Sequence, residues 1–160
     1  MRRFSLRDFI KESNRIEGIP VISAWDISAH EELLAKEVLT VGALADFVTA
    51  VAPGAQLRIA PGMDVRVGMF FPIGGGERVA MGLDNLLYRA NQHRAGLLGR
   101  DPSRAHMAYR LHVDYETLHP FTDGNGRSGR ALWLWMMGGI AAAPLGFLHT
   151  FYYQSLGASR

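Results

Sequence analysis

The sequence predicts a mainly α-helical protein that carries one β-hairpin. Apolar residues recur every three or four positions along most of the chain, which is typical of helices with one buried face. One stretch, residues 57–81, instead alternates apolar residues with arginines and turn residues, which favours strands. A length of 160 residues and a hydrophobic fraction of 48% suit a single domain over residues 1–160 with a substantial core.

The first predicted helix spans Phe4 to Gly18. Ser5 is a suitable N-cap, and Phe4 and Phe9 have the spacing of a hydrophobic staple. Gly18 supplies the stop. Glu17 falls on the same face as the apolar side chains of this helix, where a carboxylate needs a partner, and arginine is the partner that we expect. The alternative is a frayed last turn with Glu17 in water.

A second helical region follows, and it is expected to begin at Ser28, where Ser28 to Glu31 have the spacing of a capping box. Gly42 is a candidate break within it, and Pro53-Gly54 ends it. His30 is interpreted as a surface residue without a role. The helical spacing rests on Leu33, Leu34, Val38, Val41, Leu44 and Val48.

A β-hairpin is predicted from about Asp64 to Val79, with its turn in the run 72–76. The alternative interpretation is an ordinary hairpin whose aromatic residues belong to the core. Further helices are predicted around residues 79–90 and from Ser103 to Leu118. On the latter, His112 is expected to be a hydrogen-bonded structural residue, because its position does not converge with neighbouring carboxylates on a metal.

The uncharged stretch 131–148 is near the length of a membrane-spanning helix. Gly138, Gly139 and Pro144 interrupt it, so we expect a buried core helix that ends near Gly138. No membrane interaction is expected. Nucleic acid binding is not indicated either, because the net charge is only +2 and no block of lysine and arginine occurs. The chain has no cysteine, which fits the cytoplasm.

The most informative stretch runs from His119 to Arg130 and reads HPFTDGNGRSGR. Pro120 disfavours α geometry at His119, so the preceding helix should end there. Gly124 and Gly126 allow a tight turn at the start of the next helix, where free N–H groups and the helix dipole attract phosphate.

Charged residues of this stretch complete a polyphosphate site. Asp123 can hold a divalent cation, since Mg²⁺ takes one or two carboxylates together with phosphate oxygens. Arg127 and Arg130 are three positions apart and are expected to point at the same anion. His119 lies beside this site as a candidate base.

The stretch resembles the Fic-domain family, whose signature H-x-F-x-[DE]-G-N-G-R-x-x-R it matches at every position. The resemblance implies a Fic helical core and transfer of AMP from ATP to a Ser, Thr or Tyr hydroxyl of an unidentified target protein. His119 would be the general base. Asp123 would hold Mg²⁺, with Mn²⁺ as the alternative ion.

The same resemblance assigns the remaining motif residues. The backbone of Gly124 and Gly126 would form an anion hole together with Asn125. Arg127 would neutralise the leaving pyrophosphate, and Arg130 would seat the γ-phosphate. Phe121 is assigned to packing.

Residues outside the motif also resemble the family. Ser13 to Gly18 match the inhibitory motif [ST]-x-x-x-E-[GN], in which the glutamate, here Glu17, pairs with the second motif arginine and blocks the productive γ-phosphate pose. The predicted hairpin corresponds to the family's flap, which holds the target segment by strand addition. The part of the flap that should border the nucleotide consists of Val67, Gly68, Met69 and Phe70.

A pair of tyrosines near the C-terminus has two interpretations. Tyr152 and Tyr153 are either core residues or the lining of an apolar slot for a purine. In Fic proteins a tyrosine pair at about this distance after the motif contacts adenine, so the resemblance favours the second.

Three alternatives remain at this level. A Fic-type enzyme can transfer UMP or phosphocholine, or it can phosphorylate its target as the Doc branch does. That branch has lysine where this chain has Gly126. The domain could instead be a nucleotide-sensing binding module held inactive by Glu17. The sequence leaves a homo-oligomer open.

Overall fold

The computed structural model describes residues 3–95 and 103–141, and these contain six α-helices. Their order along the chain is α1 (Leu6–Ile16), α2 (Ala24–Leu34), α3 (Val41–Val51), α4 (Glu77–Ala95), α5 (Ser103–Leu118) and α6 (Asn125–Met136). The mainly helical fold class is therefore confirmed.

Helix α6 is the central element and packs against each of the other five helices. Its residues from Arg127 to Met136 are all buried, and from Ala131 onward they are all apolar. A helix that is apolar all round has to lie inside a core. It ends where the sequence predicts, because Gly138 and Gly139 have left-handed φ values of 84° and 100° and close a Schellman motif on Trp135 and Leu134. In the described ranges no helix has the length and hydropathy needed to cross a membrane.

Helix α1 docks onto α2 and α6 as the sequence suggests. The Ser5 hydroxyl accepts a hydrogen bond from the Asp8 N–H, and the Asp8 carboxylate accepts one from the Ser5 N–H, which completes a capping box. Phe9 and Ile10 are fully buried. The buried side chain of Asn14 adds a polar tie, since its amide donates to the Val21 carbonyl at 3.0 Å and to Asp26 at 3.2 Å.

The prediction that Ser28 opens the second helix is wrong. The N-cap is Ser23, which forms a reciprocal capping box with Asp26, whereas Ser28 lies inside α2 and bonds Glu32 at the surface. The expected break at Gly42 is also misplaced. The chain leaves the helix at Ala35, and Thr40 caps α3, so Gly42 lies in the first turn of α3.

The predicted β-hairpin is not confirmed. Between Asp64 and Val79 the described chain has a single isolated bridge, Val67 to Phe70, around a tight turn, and Val79 lies within α4. Alternation of apolar and basic residues therefore does not produce a strand pair here. Gly68, in the left-handed region at φ 59°, sits inside the tight turn, so the chain reverses before a ladder can form.

The interpretation of His30 as a surface residue is wrong. The side chain is buried between the rings of Phe9 and Phe47, with centroid distances of 6.2 Å and 4.8 Å. Its Nδ1 bonds the Asp26 carbonyl at 2.6 Å, and its Nε2 has no hydrogen-bond partner among the described residues. Burial lowers the pKa of His30 from 6.5 to about 4, so the ring is neutral at pH 7.

This histidine should make the fold sensitive to mild acid. The unfolded chain takes up a proton near pH 6.5, whereas folded His30 resists protonation down to about pH 4. The stability that neutral, buried His30 contributes is fully present above pH 6.5. It should be lost as the pH falls from 6.5 to 4, which lowers the free energy of unfolding by about 3 kcal/mol. Urea unfolding of the wild type and of His30→Leu across this range measures the difference. His106→Gln is the matched control at an exposed histidine, and equal pH profiles for the wild type and His30→Leu would contradict the prediction.

Candidate active site at the N-terminus of helix α6

His119 lies at the junction where α5 ends and the motif loop begins. Its N–H still donates to the Tyr115 carbonyl at 2.9 Å, but its φ is 51°, so the helix stops after Leu118 as Pro120 predicts. Among the described residues, His119 is the one non-glycine with positive φ. Such a conformation costs roughly 1–2 kcal/mol for a residue with a Cβ, and unusual backbone geometry of this kind is common at functional sites. The side chain is half-buried.

The loop after His119 is held by its own backbone and by Asn125. The Asn125 amide accepts from the Phe121 N–H at 2.9 Å and donates to the Phe121 carbonyl at 2.8 Å. Phe121 is 1% exposed, which confirms its assignment to packing. The side chain of Asn125 thus shapes the loop, so its part in an anion hole falls to its backbone N–H.

Gly124 begins α6 in a conformation that requires glycine. Its φ is 77°, and a Cβ on it would lie 3.0 Å from the Ala52 side chain. No side chain of the described residues caps this helix end. The first-turn N–H groups of α6, together with the positive end of its dipole, therefore form a site for an anion. The N–H of Gly124 itself is used differently, because it donates to Asp123 Oδ1 at 2.6 Å.

Asp123 fits a role as a cation ligand. It is exposed at the edge of the loop, and among the described residues its Oδ2 accepts no hydrogen bond. One accessible carboxylate beside a phosphate site is the arrangement in which Mg²⁺ completes its coordination with phosphate oxygens and water.

Arg130 is a buried cation whose guanidinium meets the C-terminal end of α1. The side chain of Arg130 is 2% exposed. Its Nε donates to the Ser13 hydroxyl at 2.8 Å, and one terminal nitrogen donates to the Ser13 carbonyl at 3.0 Å and to Glu17 Oε1 at 2.5 Å. The structure therefore places Arg130, the predicted partner, beside Glu17. Ser13 contributes two further acceptors to the Arg130 guanidinium.

The backbone fixes the place of Glu17. Glu17 is the C-cap of α1, and Gly18 follows in the left-handed region at φ 73°. The N–H groups of Gly18 and Ile19 bond the carbonyls of Arg15 and Asn14 in a Schellman motif. The last turn of α1 is thus closed, which argues against a frayed end with Glu17 in water.

Glu17 also covers the start of α6. A Cβ built on Gly126 would overlap Glu17 Oε1 and lie 3.1 Å from an Arg130 nitrogen. The carboxylate therefore lies directly against the glycine of the predicted anion cradle. An anion supplied by the chain itself occupies this position.

Arg127 does not share a target with Arg130, which corrects the expectation that both guanidinium groups point at one anion. Arg127 donates to the carbonyl of Val51, the last residue of α3. That carbonyl is one of the unpaired acceptors at a helix C-terminus, so it attracts the cation. Arg127 is 8% exposed, and its Nε has no partner among the described residues.

Three buried polar groups behind the motif brace α6. The Tyr115 hydroxyl bonds Ser128 Oγ at 2.7 Å, and Ser128 in turn donates to the Gly124 carbonyl at 2.7 Å. Burial raises the pKa of Tyr115, which keeps it a neutral donor. His112 Nδ1 bonds the Gly129 carbonyl at 2.8 Å, which confirms that His112 is a hydrogen-bonded structural residue.

Sequence reasoning missed Arg58. Its guanidinium is fully buried and donates to four backbone carbonyls, including those of Leu118 and His119. Burial lowers the pKa of Arg58 from its ordinary value, but a guanidinium stays charged. The only available signal was an arginine between Leu57 and Ile59, which favours a strand position with the charge in solvent.

Two further predicted groups are the flap residues and the tyrosine pair. Val67, Gly68, Met69 and Phe70 form the tight turn described above, and Met69 is 86% exposed. The turn is held locally, since Arg66 Nε donates to the Gly68 carbonyl at 2.6 Å. Tyr152 and Tyr153 lie outside the described residues.

The fold and the site together define a helical protein with a histidine beside the N-terminus of a buried helix. The family model of the Fic/DOC family matches residues 29–137, more than half of the chain. The chain therefore belongs to the Fic/DOC family, which confirms the resemblance drawn from the motif. The matched region begins after α1, so Ser13 and Glu17 lie outside it. No curated protein and no solved structure matches the chain.

The backbone of residue 119 yields a stability test that is independent of catalysis. At φ 51°, glycine is unstrained and alanine is not, so His119→Gly should be about 1 kcal/mol more stable than His119→Ala. Urea unfolding of both variants measures this. At Arg110, an exposed position within α5, the order should reverse, because glycine weakens a helix. An alanine variant at 119 that equals or exceeds the glycine variant would show that this backbone is not left-handed in solution.

Proposed function

We propose that the protein is a protein adenylyltransferase that moves AMP from ATP to a Ser, Thr or Tyr hydroxyl of a target protein, and that Glu17 restrains it. Its membership of the Fic/DOC family supports a transferase of nucleotide or phosphate-containing groups. The observation that carries the finer proposal is the position of the Glu17 carboxylate. It lies against Gly126 at the start of α6 and is bonded to the buried Arg130, where a phosphate of the nucleotide is expected.

The proposed chemistry is one displacement at phosphorus. The His119 imidazole takes the proton of the target hydroxyl, and that oxygen attacks the α-phosphorus of ATP. The bond from the α-phosphorus to the bridging oxygen breaks, and pyrophosphate leaves. The target keeps AMP in a phosphodiester bond.

The motif residues supply charge and position for this step. The N–H groups at the start of α6 stabilise the charge on the α-phosphate oxygens. Asp123 would hold Mg²⁺ or Mn²⁺, which neutralises phosphate charge when it is bound. Arg130 seats the γ-phosphate. Arg127 bonds Val51 in the present arrangement, so it neutralises pyrophosphate only after it exchanges that carbonyl for a phosphate oxygen.

Gly126 favours adenylyl transfer over the phosphorylation of the Doc branch. A lysine at this position would need the space that Glu17 occupies. With glycine, the backbone of the first turn of α6 stays open to a phosphate. UMP or phosphocholine transfer remains the alternative within the family.

The group that is transferred can be read from the position of a label in ATP. Purified Glu17→Gly protein, incubated with lysate proteins and Mg²⁺, should transfer label from the α-phosphate of ATP and none from the γ-phosphate. The same protein with His119→Ala should transfer neither, because it lacks the base. EDTA should abolish transfer. Both labels are followed on denaturing gels.

Other outcomes of this experiment would assign the protein a different function. Transfer of the γ label would identify a kinase. Label from UTP or from CDP-choline, with none from ATP, would identify one of the other transferases. ATP binding without transfer of any label would identify a nucleotide-sensing module.

The restraint by Glu17 is tested by removing its charge. Glu17→Gln and Glu17→Gly should raise AMP transfer about 10²-fold if the pair with Arg130 is worth about 3 kcal/mol against the γ-phosphate. Glu17→Asp should release less, since its carboxylate survives on a shorter stem. Arg130→Ala should be inactive with or without Glu17, because the γ-phosphate loses its seat. The rate of self-modification at saturating ATP is the measurement.

The matched control for Glu17 is another glutamate of the same helix. Glu12 lies on α1 and pairs with Arg15 at 3.3 Å near the surface. Glu12→Gln should leave the rate at the wild-type level. Glu17 variants that fold and bind ATP but transfer no more AMP than the wild type would refute the restraint.

A further inference from the structure

Arg58 is a buried arginine outside the sequence motif. The side chain is 0% exposed, and its guanidinium donates four hydrogen bonds, all to backbone carbonyls. Taking a cation out of water is costly unless its donors are satisfied. Hydrogen bonds from a charged donor are stronger than neutral ones, so four of them hold their acceptors firmly.

Two of the acceptors fix the end of α5. Arg58 Nε donates to the His119 carbonyl at 2.7 Å, and a terminal nitrogen donates to the Leu118 carbonyl at 3.0 Å. Carbonyls at a helix C-terminus lack helical partners and carry partial negative charge, which a cation complements. The bond to His119 acts on the residue whose φ is 51°, so Arg58 helps to hold that backbone in its uncommon conformation.

The other two acceptors belong to the flap segment, which we define as residues 63–76. The remaining terminal nitrogen of Arg58 donates to the carbonyls of Met63 and Ile73, each at 3.0 Å. The Gly76 N–H also donates to the Arg58 carbonyl at 2.9 Å. The Arg58 side chain therefore binds both the start of the flap segment, at Met63, and its later part, at Ile73.

The backbone around Arg58 strengthens this link. Leu57 pairs with Phe121 in an antiparallel bridge, and the Arg58 N–H donates to the Pro120 carbonyl at 2.8 Å. The Thr122 N–H donates to the backbone carbonyl of Gln56 at 2.9 Å. Residues 56–58 therefore lie along the motif loop, and the guanidinium of Arg58 reaches from there to both the candidate base and the flap segment.

We infer that Arg58 is a positioning residue that fixes the candidate base His119 in register with the flap segment. This inference rests on the proposed function, in which His119 takes the proton of the target hydroxyl, and it adds that the flap segment presents that hydroxyl. A displacement of about 1 Å in such an arrangement can cost a factor on the order of 10² in rate. Arg58 has no hydrogen bond to Asp123, Arg127 or Arg130, so nucleotide binding should not depend on it.

A lysine at position 58 cannot form the same set of hydrogen bonds as Arg58. Its ammonium is a point charge on a flexible stem, whereas the planar guanidinium offers donors in several fixed directions. An Arg58→Lys variant keeps the charge and fills most of the volume, but it cannot reach acceptors on both sides at once. The Arg58→Lys variant therefore distinguishes a positioning role of Arg58 from a role that needs only a buried positive charge.

The test uses the Glu17→Gly protein as the parent and compares Arg58→Lys with Arg89→Lys. Arg89 is the matched control, since within residues 3–95 and 103–141 it bonds a single partner, Asp114, at the surface. Arg58→Lys should lower the self-modification rate at saturating ATP by about 10- to 100-fold, while the Kd for ATP changes less than about twofold. Arg89→Lys should match the parent in both. An unchanged rate for folded Arg58→Lys, or a weakening of ATP binding that accounts for the whole loss, would overturn the inference.

A second measurement does not depend on AMP transfer. In protein labelled with ¹⁵N at histidine, the ring and amide signals of His119 should shift or broaden in Arg58→Lys, while those of the exposed His106 stay in place. If the parent transfers no AMP but the His119 signals move as expected, the proposed function fails and the positioning contact stands. If the His119 signals coincide with those of the parent, the positioning role is wrong.

Discussion

The burial of the Arg130 guanidinium is the constraint on which the site depends. Arg130 sits on α6, which contacts each of the other five helices in the described part of the chain, and 2% of its side chain reaches solvent. A cation in this position needs acceptors in every state of the protein. In the described structure Ser13 and Glu17 supply them. In the proposed function a phosphate takes over from Glu17, while both acceptors on Ser13 stay in place.

The proposed exchange of Glu17 for a phosphate is favoured by the unequal burial of Glu17 and Arg130. The Glu17 side chain is 36% exposed, so it can return to water at a modest cost, whereas Arg130 cannot. Helix α1 is also docked by contacts other than the ion pair. Phe9, Ile10 and the amide of Asn14 hold the body of the helix, so its position does not depend on the ion pair alone. Release of Glu17 can therefore be a local change at the last turn of α1.

The sequence predicted those parts of the fold that depend on local pattern. The bounds of α1 follow from Ser5 and Gly18, the end of α5 follows from Pro120, and the end of α6 follows from Gly138, because each of these residues acts on its own backbone. The choice between Ser23 and Ser28 as N-cap is different. Both begin a Ser-x-x-acid pattern, and the tertiary bond from Asn14 to Asp26 supports the first. Such a contact cannot be read from spacing.

The site residues also fall into those that a local pattern predicts and those that depend on tertiary contacts. The motif located His119, Gly124, Asp123 and Arg130, and the apolar face of α1 located Glu17, since all of these depend on local chemistry. The direction of Arg127 depends on the end of α3, seventy-six residues earlier in the chain, and the burial of Arg58 depends on four carbonyls brought together by folding. A charged residue in an alternating pattern favours the surface unless such acceptors are known.

Gly126 links the proposed restraint to the proposed chemistry of the site. A side chain on residue 126 and the carboxylate of Glu17 need the same volume, so the two cannot be present together without a shift. Glycine at this position leaves the N-terminus of α6 open to an anion, and an anion is what both Glu17 and a nucleotide phosphate provide. In the proposed function, the residue that opens the site to a phosphate is thus also the residue that lets Glu17 close it. The proposed restraint and the proposed substrate binding both depend on the absence of a Cβ at residue 126.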